Sequence, residues 1–306
     1  DLFEAAEHLQ KAASLNHTGA MVKLGKAYQC GCGMVRNTEK ALELFKQASS
    51  MGDTDGLIEL GHCREDGVGV EANSKEAMRL YTQAAKQGNS EAMFRLGCML
   101  FFGQNVAENK NEAIKWWTQS SEHGNVSAMK KLCDCYENGD GVHKEMVKAV
   151  HFMKMASDKG DEESMMRLAR HFEDGVGVRM NLDKAYELYK KAFTCQTRNT
   201  SDESDESKEE KKGKERLMYE TWERLGKKGH GGSLNALGDC YSTGQGVEQD
   251  KKKAFELYEK AMKKGDVDAL FNGGKCYADG EGVMEDKAKA YECFLKSAKC
   301  GHVDAM

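Results

Sequence analysis

Eleven cysteines are the residues of this 306-residue sequence with the clearest potential for redox or metal chemistry. Cys63, Cys135, Cys240 and Cys276 recur at one position of a repeated pattern, where two other copies carry Ala27 and Met99. A position shared with apolar side chains indicates core packing. Packed helices lie roughly 8 to 10 Å apart, too far for a disulfide or a shared metal ion between neighbouring copies. We therefore predict that all or nearly all cysteines are reduced, and the odd total favours a reducing compartment.

Two smaller groups have the residue types of a zinc site, but neither has the paired short spacing of a structural one. They are Cys30 with Cys32, and Cys293 with Cys300 and His302. The sequence also has no Gly-x-Ser-x-Gly elbow, no phosphate loop and no His-Glu-x-x-His motif. We predict no catalytic residue, no cofactor and no metal site.

The segments that carry these cysteines are copies of one unit. Each copy opens with a small residue, and successive openings are 36 residues apart except for one gap of 69, which is one repeat plus 33 residues. The opening residues are Ala20, Gly56, Ala92, Ala128, Ser164, Ser233, Ala269 and Ala305. A fixed recurrence of this length is typical of stacked-repeat proteins.

Each copy contains two segments with the apolar spacing of an α-helix, joined by a Gly-x-Gly turn. The sequence therefore predicts an all-α fold, a right-handed α/α superhelix (solenoid) of antiparallel helix pairs with a 36-residue period. Residues 1–19 form the second helix of a truncated repeat, 20–195 repeats 1 to 5, 217–304 the end of repeat 5 and repeats 6 to 7, and 305–306 the start of a further repeat. Because neither end has a polar cap, we expect a fragment of a longer solenoid.

Residues 196–216 form a charged Ser/Glu/Lys insertion in the fifth repeat. Ser207 and Glu210 have the spacing of a capping box, so we predict a helix near 208 to 228, a second version of the repeat's second helix. Ser201, Ser204 and Ser207 lie among acidic residues and are candidates for regulatory phosphorylation. The alternative is a tolerated surface insertion.

Composition limits the classes of partner. The hydrophobic fraction is 40%, and no apolar run is long enough to span a membrane. The net charge of -5 argues against a nucleic-acid or anionic-membrane surface. We expect protein partners, either a peptide or a folded domain, with no nucleic acid and no direct membrane insertion.

Three motifs carry a resemblance to a known family: Leu237-Gly238-Asp239-Cys240-Tyr241, Gly244-Gln245-Gly246-Val247 and Lys253-Ala254-Phe255-Glu256-Leu257-Tyr258. They resemble the Sel-1-like repeat family, relatives of tetratricopeptide repeats. The resemblance implies an adaptor or scaffold that holds other macromolecules together. Some cysteine-rich members carry a disulfide within each repeat, and Cys276 with Cys293 is the one pair here with that placement.

The resemblance to tetratricopeptide repeats also places a binding groove on the first helix of each pair. Offsets 2, 6 and 9 from the opening residue are then predicted to face a partner. The predicted partner-binding residues of this concave face are Val22, Ile58, His62, Phe94, Phe101, Met166, Arg170 and Phe271. The alternative is that these side chains pack against neighbouring helices.

The sequence-based hypothesis is a non-catalytic protein-protein interaction scaffold that binds partner polypeptides along the concave face of an α-solenoid. The alternatives are a permanent structural subunit of a larger assembly, or a thiol-dependent or hydrolytic enzyme of the cysteine-rich repeat type. We expect a cytoplasmic location, or the ER lumen or secretion if a signal peptide was removed.

Overall fold

The computed structural model describes residues 2–103, 106–198 and 208–303, and within them it contains sixteen α-helices and no strand. The helices are α1 (Leu2–Ser14), α2 (Thr18–Cys30), α3 (Thr38–Ser50), α4 (Thr54–Asp66), α5 (Ser74–Lys86), α6 (Ser90–Phe102), α7 (Lys110–Glu122), α8 (Val126–Asn138), α9 (Met146–Asp158), α10 (Glu162–Asp174), α11 (Leu182–Arg198), α12 (Lys208–Lys227), α13 (Gly231–Thr243), α14 (Lys251–Lys263), α15 (Val267–Asp279) and α16 (Lys287–Lys299). The all-α prediction is confirmed. In the described part of the chain, no helix has the length and apolar character needed to cross a membrane.

The chain divides into two compact units, Asp1–Lys159 and Gly160–Met306. In each unit, consecutive helices pack as antiparallel pairs. The end of the second helix of a pair is bonded to the start of the first: the Ser120 hydroxyl donates to the Ser90 carbonyl at 2.7 Å, and Ser297 donates to Val267 in the same way at 3.1 Å. The first helices are α2, α4, α6, α8, α10, α13 and α15, and α1 is the second helix that precedes them.

Local capping explains where the helices begin and end. The residue before most helices accepts a hydrogen bond from the backbone N–H three residues later, as Asp53 does from Gly56 at 2.9 Å and Asn89 from Ala92 at 3.0 Å. Each first helix ends on a left-handed glycine, such as Gly67 with φ of 74°. The second turn glycine is needed because Gly69 lies against the preceding second helix, where a Cβ would come within 2.8 Å of the Thr38 carbonyl. Capping and turns therefore fix the 36-residue period locally.

The helices of a pair approach closely at a first-helix glycine. A Cβ on Gly61 would lie 2.5 Å from the Tyr81 ring, and Tyr258 lies equally close to Gly238. The ring also reaches a carboxylate on the first helix: Tyr81 donates to Glu65 at 2.8 Å. Where Cys133 replaces the glycine, the residue at the register of the aromatic ring is Met153. In this copy the added side chain of Cys133 is accompanied by a residue without a rigid ring, Met153, which keeps the core dense.

The insertion adds one whole helix, and the predicted helix near 208 to 228 is confirmed by α12. The turn glycine Gly246 lies against the backbone of Glu215, as Gly69 does against the first residue of α3. Residues 215–227 therefore correspond to a regular second helix, and 208–214 extend it at its start. Ser201, Ser204 and Ser207, the predicted phosphorylation candidates, lie outside the described residues, as do residues 304–306.

The extra helix reverses the direction of the helices that follow it in the second unit. Arg224 and Lys228, at the end of α12, bond to residues at the end of α10, so these two helices run parallel. Because α12 and α13 pack with Tyr219 against Tyr241 and with Gly226 against Leu234, they run antiparallel. It follows that α13 runs opposite to α10.

Candidate protein-binding surface

Two of the predicted groove residues are core residues. Val22 and Ile58 are each 5% exposed and belong to the apolar core of the first unit. The prediction that they face a partner is wrong, because α2 packs directly on α4 and both side chains lie in the core of the first unit. The packing alternative holds for both positions.

Phe101 is buried as well, and the residue beside it is the exposed one. The Phe101 ring lies 4.8 Å from the Trp117 ring and is 8% exposed, whereas Phe102 is 53% exposed. Sequence reasoning missed Phe102 because it took offset 9 instead of offset 10. The signal was present, since Phe94 and Phe102 are eight residues apart and share one face of α6.

Phe94, Cys98 and Phe102 form a continuous stripe along α6, here called the α6 stripe. Phe94 and Cys98 are half-buried. Burial raises the pKa of the Cys98 thiol to about 11, so at neutral pH it is an uncharged, weakly polar group. The Lys131 ammonium lies 5.6 Å from the centre of the Phe102 ring. The stripe is therefore apolar with a cation at its edge, a composition typical of the anchor of a protein interface.

Predicted residue His62 lies in a polar row on the neighbouring helices α2 and α4. Lys26 is 2.8 Å from Glu59, and His62 Nδ1 is 3.6 Å from the other oxygen of Glu59. Burial raises the pKa of Glu59, but hydrogen bonds from His62 and Lys26 outweigh it and hold the pKa below its usual value. The buried Nε2 of His62 has no hydrogen-bond partner among the described residues. This row supplies polar groups on the first helices α2 and α4, and the stripe lies on the next first helix, α6.

In the second unit, only one of the three predicted residues is freely exposed. Arg170 is exposed, while Met166 is half-buried and packs against the core. Phe271 is half-buried because its ring stacks on His302 at 4.6 Å and lies 5.7 Å from Phe294. The structure does not bring these three side chains together into one apolar surface.

A buried carboxylate joins the extra helix to the second unit. Glu173 is 1% exposed and accepts two hydrogen bonds from Arg224, at 2.8 and 3.0 Å. Tyr189 donates to it at 3.1 Å, and the Lys228 ammonium lies 3.0 Å away. Burial raises the pKa of Glu173, but the bonds from Arg224, Lys228 and Tyr189 outweigh it and hold the pKa below its usual value. The sequence offered no signal for this network, because its members come from three helices.

One arrangement has the residue types of a hydrolase triad. The Ser233 hydroxyl lies 2.8 Å from His230 Nδ1, and His230 Nε2 lies 3.2 Å from Asp183. His230 is, however, the N-cap of α13: its Nδ1 also accepts the Ser233 backbone N–H at 3.0 Å. Asp161 caps Ser164 through the same pair of bonds in the preceding repeat. Ser233 is 0% exposed, so its geometry is explained by helix capping and its hydroxyl is closed to a substrate.

Of the cysteines whose side chains the structure describes, two form a bonded pair and eight lie outside any disulfide. The structure joins Cys30 to Cys32 in a disulfide, which the prediction of nearly complete reduction did not foresee. Cys276 and Cys293 are both free, so the placement suggested by the family resemblance does not form a disulfide. The side chain of Cys195 lies outside the described residues.

One group of side chains in the described ranges has the spacing of a metal site. The candidate ligand atoms of Cys133, Asp134 and Glu137 all lie within 4.8 Å of one another. These residues follow one another on a single helix, and helical spacing alone brings them together. Nothing further in the structure points to an ion there.

The comparison with protein families matches the Sel1 repeat at residues 1–17, 18–53, 54–89, 90–125, 126–161, 162–195, 232–266 and 267–302. The sixth match ends at residue 195 and the seventh begins at residue 232, and the residues between them contain the insertion and α12. The comparison with curated proteins gave no match.

Among solved structures, the chain is similar to c5321, a protective antigen of uropathogenic Escherichia coli that displays an SLR fold. The identity is 24% and the TM-score 0.58, over 98% of this chain and 65% of that one, so this chain spans less than two thirds of its length. A Sel1 repeat protein from Oxalobacter formigenes is 21% identical, with a TM-score of 0.49, over 97% of this chain and 91% of that one. The immunity protein Pa5087 from Pseudomonas aeruginosa is 23% identical, with a TM-score of 0.46, over 64% and 74%.

The first of these likenesses shows the fold, and the family model covers both units with the observed 36-residue spacing. The chain belongs to the Sel1 repeat family.

Proposed function

We propose that this chain is a non-catalytic scaffold that binds a partner polypeptide through the first helices of its first unit, with the α6 stripe as the anchor. The observation that carries the proposal is the exposure of Phe102 beside the half-buried Phe94 and Cys98 on one helix face. Exposed aromatic rings on a rigid helix bury large areas on binding with little loss of conformational freedom.

The rim of the stripe supports a polypeptide ligand. Arg95 follows Phe94 on α6 and bonds to Glu91 at 2.9 Å, and Lys131 lies beside Phe102. Charged groups around an apolar centre provide orientation while the centre provides affinity. Stacked repeats also contact only their neighbours, which leaves the outer faces of the first helices free for a ligand.

The experiment uses the whole chain as bait in a quantitative pull-down, followed by calorimetry with the partner it identifies. The variant Phe94→Ala/Phe102→Ala is expected to weaken the binding of that partner by about 2 kcal/mol, because alanine removes both aromatic anchors. Val147→Ala, at a 66% exposed position on α9, is the matched control and should bind as the wild type does. Equal binding by all three proteins would refute the stripe as the anchor.

The main alternative is a permanent structural subunit, in which the same stripe is always covered. The two functions predict different behaviour in solution. A scaffold is stable without its partner, whereas a permanent subunit aggregates when the apolar face that the assembly normally covers is left exposed. Sedimentation of the purified chain at increasing concentration distinguishes them.

We also propose a reducing compartment such as the cytoplasm, with the ER lumen or secretion as the alternative. Eight described cysteines outside any disulfide support the proposal, and the Cys30–Cys32 disulfide opposes it. Alkylation of thiols in intact cells, followed by mass spectrometry of the peptide that contains both residues, measures which state is present. A fully oxidised pair would favour the alternative.

A further inference from the structure

A cavity of about 330 Å³ lies in the second unit, where the start of α11 meets the starts of α13 and α15. Its volume lies at the lower end of the ~300–1,000 Å³ typical of ligand sites. The cavity exists because α12 reverses the direction of the following helices, which places α11 parallel to α13 and beside its first turn. No regular pair in the described chain has this arrangement.

Two glycines at the start of α13 line this cavity without side chains. Gly231 and Gly232 form the first turn of α13, where α4 has Thr54 and Asp55. A Cβ on Gly232 would lie 3.3 Å from the Tyr186 ring, and one on Gly231 would lie 3.3 Å from the Cβ of Lys264. A side chain at Gly232 would therefore crowd the Tyr186 ring, and one at Gly231 would crowd Lys264.

The charged groups around the cavity are mainly acidic. Four carboxylates, Asp183, Glu187, Asp266 and Asp268, line it together with Lys190 and Lys264, so acids exceed lysines by two. Burial and then the nearby Asp268 raise the pKa of Asp266, although its bond to the Ala269 N–H acts in the opposite sense. Burial, Asp266 and Glu187 likewise raise the pKa of Tyr186. An additional cation in the cavity would therefore favour the charged form of Asp266.

We propose that this cavity binds the cationic side chain of an arginine or lysine residue of a partner polypeptide, seated on the Tyr186 ring with Asp266 and Glu187 as its counter-ions. This ligand rests on the proposed scaffold function. An aromatic face with carboxylates around it attracts a guanidinium or alkylammonium group through cation–π contact and charge-assisted hydrogen bonds. Lys190 already shows the attraction, because its ammonium lies 5.8 Å from the centre of that ring.

A metal ion fits the same cavity poorly. Metal binding needs several ligand atoms within a few ångströms of one point. Within the described residues, the group that meets this spacing is Cys133, Asp134 and Glu137, which lies in the other unit. The carboxylates of the cavity are therefore too far apart to share one metal ion, and their spacing suits a larger, organic cation.

The test titrates the whole chain with a blocked pentapeptide that contains one arginine among glycines, at low ionic strength, with calorimetry as the readout. A citrulline peptide has the same shape without the charge, and a lysine peptide distinguishes the two cations. The arginine peptide is expected to bind about tenfold more tightly than the citrulline peptide. The order of the arginine and lysine peptides identifies which cation the cavity prefers. This measurement needs no natural partner, so its failure would leave the scaffold proposal standing.

Asp266→Asn is the informative variant because asparagine caps a helix as well as aspartate does. Asn125 already fills the equivalent role by accepting the Ala128 N–H at 2.9 Å. Asp53→Asn changes the equivalent cap of α4 and is the matched control. The first variant should lose about tenfold in affinity for the arginine peptide, and the second should lose nothing.

Lys190→Gln gives a result of the opposite sign. Removing the internal cation from an exposed position should strengthen arginine binding about threefold. Equal binding of the arginine and citrulline peptides would overturn the proposal, and so would equal losses in Asp266→Asn and Asp53→Asn. Displacement of the peptide by Ca²⁺, where NaCl of the same ionic strength has no effect, would replace it with a metal site.

Discussion

Glu173→Gln is expected to release α12 from α10 without unfolding the regular pairs. The two oxygens of Glu173 face different donors: Oε1 faces Arg224 Nε and the Lys228 ammonium, whereas Oε2 faces a second nitrogen of Arg224 and the Tyr189 hydroxyl. An amide replaces one oxygen with an NH2 group and removes the charge, so either orientation takes the Glu173 acceptor away from two of these donors, although Lys228 keeps Asp174 at 2.8 Å. Because Glu173 is 1% exposed, water does not reach the position of the lost oxygen and cannot act as the acceptor there.

The magnitude follows from the exposure of each partner. The Tyr189 hydroxyl is buried, and leaving a buried donor unpaired costs about 1–3 kcal/mol, so we expect the amide oxygen to stay on the Tyr189 side. The loss then falls on Arg224 and Lys228, whose side chains are each 37% exposed and recover hydration, which reduces their joint share to about 1–2 kcal/mol. We therefore expect α12 to lose about 1–2 kcal/mol of local stability.

Hydrogen exchange measured by mass spectrometry is the appropriate assay, because a repeat chain does not unfold in one global step. Peptides from α12 should exchange about five- to thirtyfold faster in the variant. The matched control is Glu65→Gln, which occupies the same offset and accepts the Tyr81 hydroxyl at 2.8 Å but has no extra helix to hold. Its effect on α5 should be smaller, since the amide keeps an acceptor oxygen for Tyr81. Unchanged exchange in α12, or equal effects of the two variants, would refute the assigned role of Glu173.

The same carboxylate predicts how α12 responds to pH. The pKa of Glu173 in the folded chain is below its ordinary value of 4.5, so the folded state favours the charged form. Its contribution is therefore fully present above pH 4.5 and is lost as pH falls through the lower folded pKa. Exchange in α12, corrected for the intrinsic pH dependence, should accelerate over that acidic range in the wild type. It should do so much less in Glu173→Gln.

Three further predictions concern the first unit and the thiols. Ile58→Ala should lower its stability by about 2–4 kcal/mol in thermal melts followed by circular dichroism, because Ile58 is a core residue. Gly61→Ala should lower it by about 1–3 kcal/mol, since the new Cβ would lie 2.5 Å from the Tyr81 ring, and a Tyr81→Leu background should reduce that loss. Iodoacetamide at pH 8 should label the exposed Cys300 well before Cys135, because burial raises the pKa of the latter to about 12. Equal labelling rates would contradict the last prediction.

Sequence periodicity was sufficient for the parts of the fold that depend on local interactions. Caps such as Asp53 and turn glycines such as Gly67 act within a few residues, so their spacing alone predicts where the helices lie. The α12 helix was also predictable, since it repeats the second-helix pattern. These features need no knowledge of which helices touch.

The binding surface was less predictable because it depends on contacts between helices. Phe101 and Phe102 are adjacent aromatic residues, and only the position of Trp117 on the next helix decides which one is buried. Ile58 was assigned to the surface by analogy with tetratricopeptide repeats, but here the contact of α2 with α4 buries it. The Glu173 network could not be predicted from the sequence because Arg224 and Lys228 lie 51 and 55 residues further along the chain.

The extra helix α12 is a structural element of the second unit, because residues on both sides of it are adapted to its presence. Arg224 on α12 and Lys228 immediately after it bond to a buried carboxylate of α10, so α10 and α12 share one charge network. The first turn of α13 carries Gly231 and Gly232, which allows the Tyr186 ring of α11 to approach it. Deleting 33 residues would restore the 36-residue spacing in sequence, yet it would leave Glu173 without its cations. The period of the repeat is therefore only part of what specifies this stack, and the complementary residues at its one irregular step specify the rest.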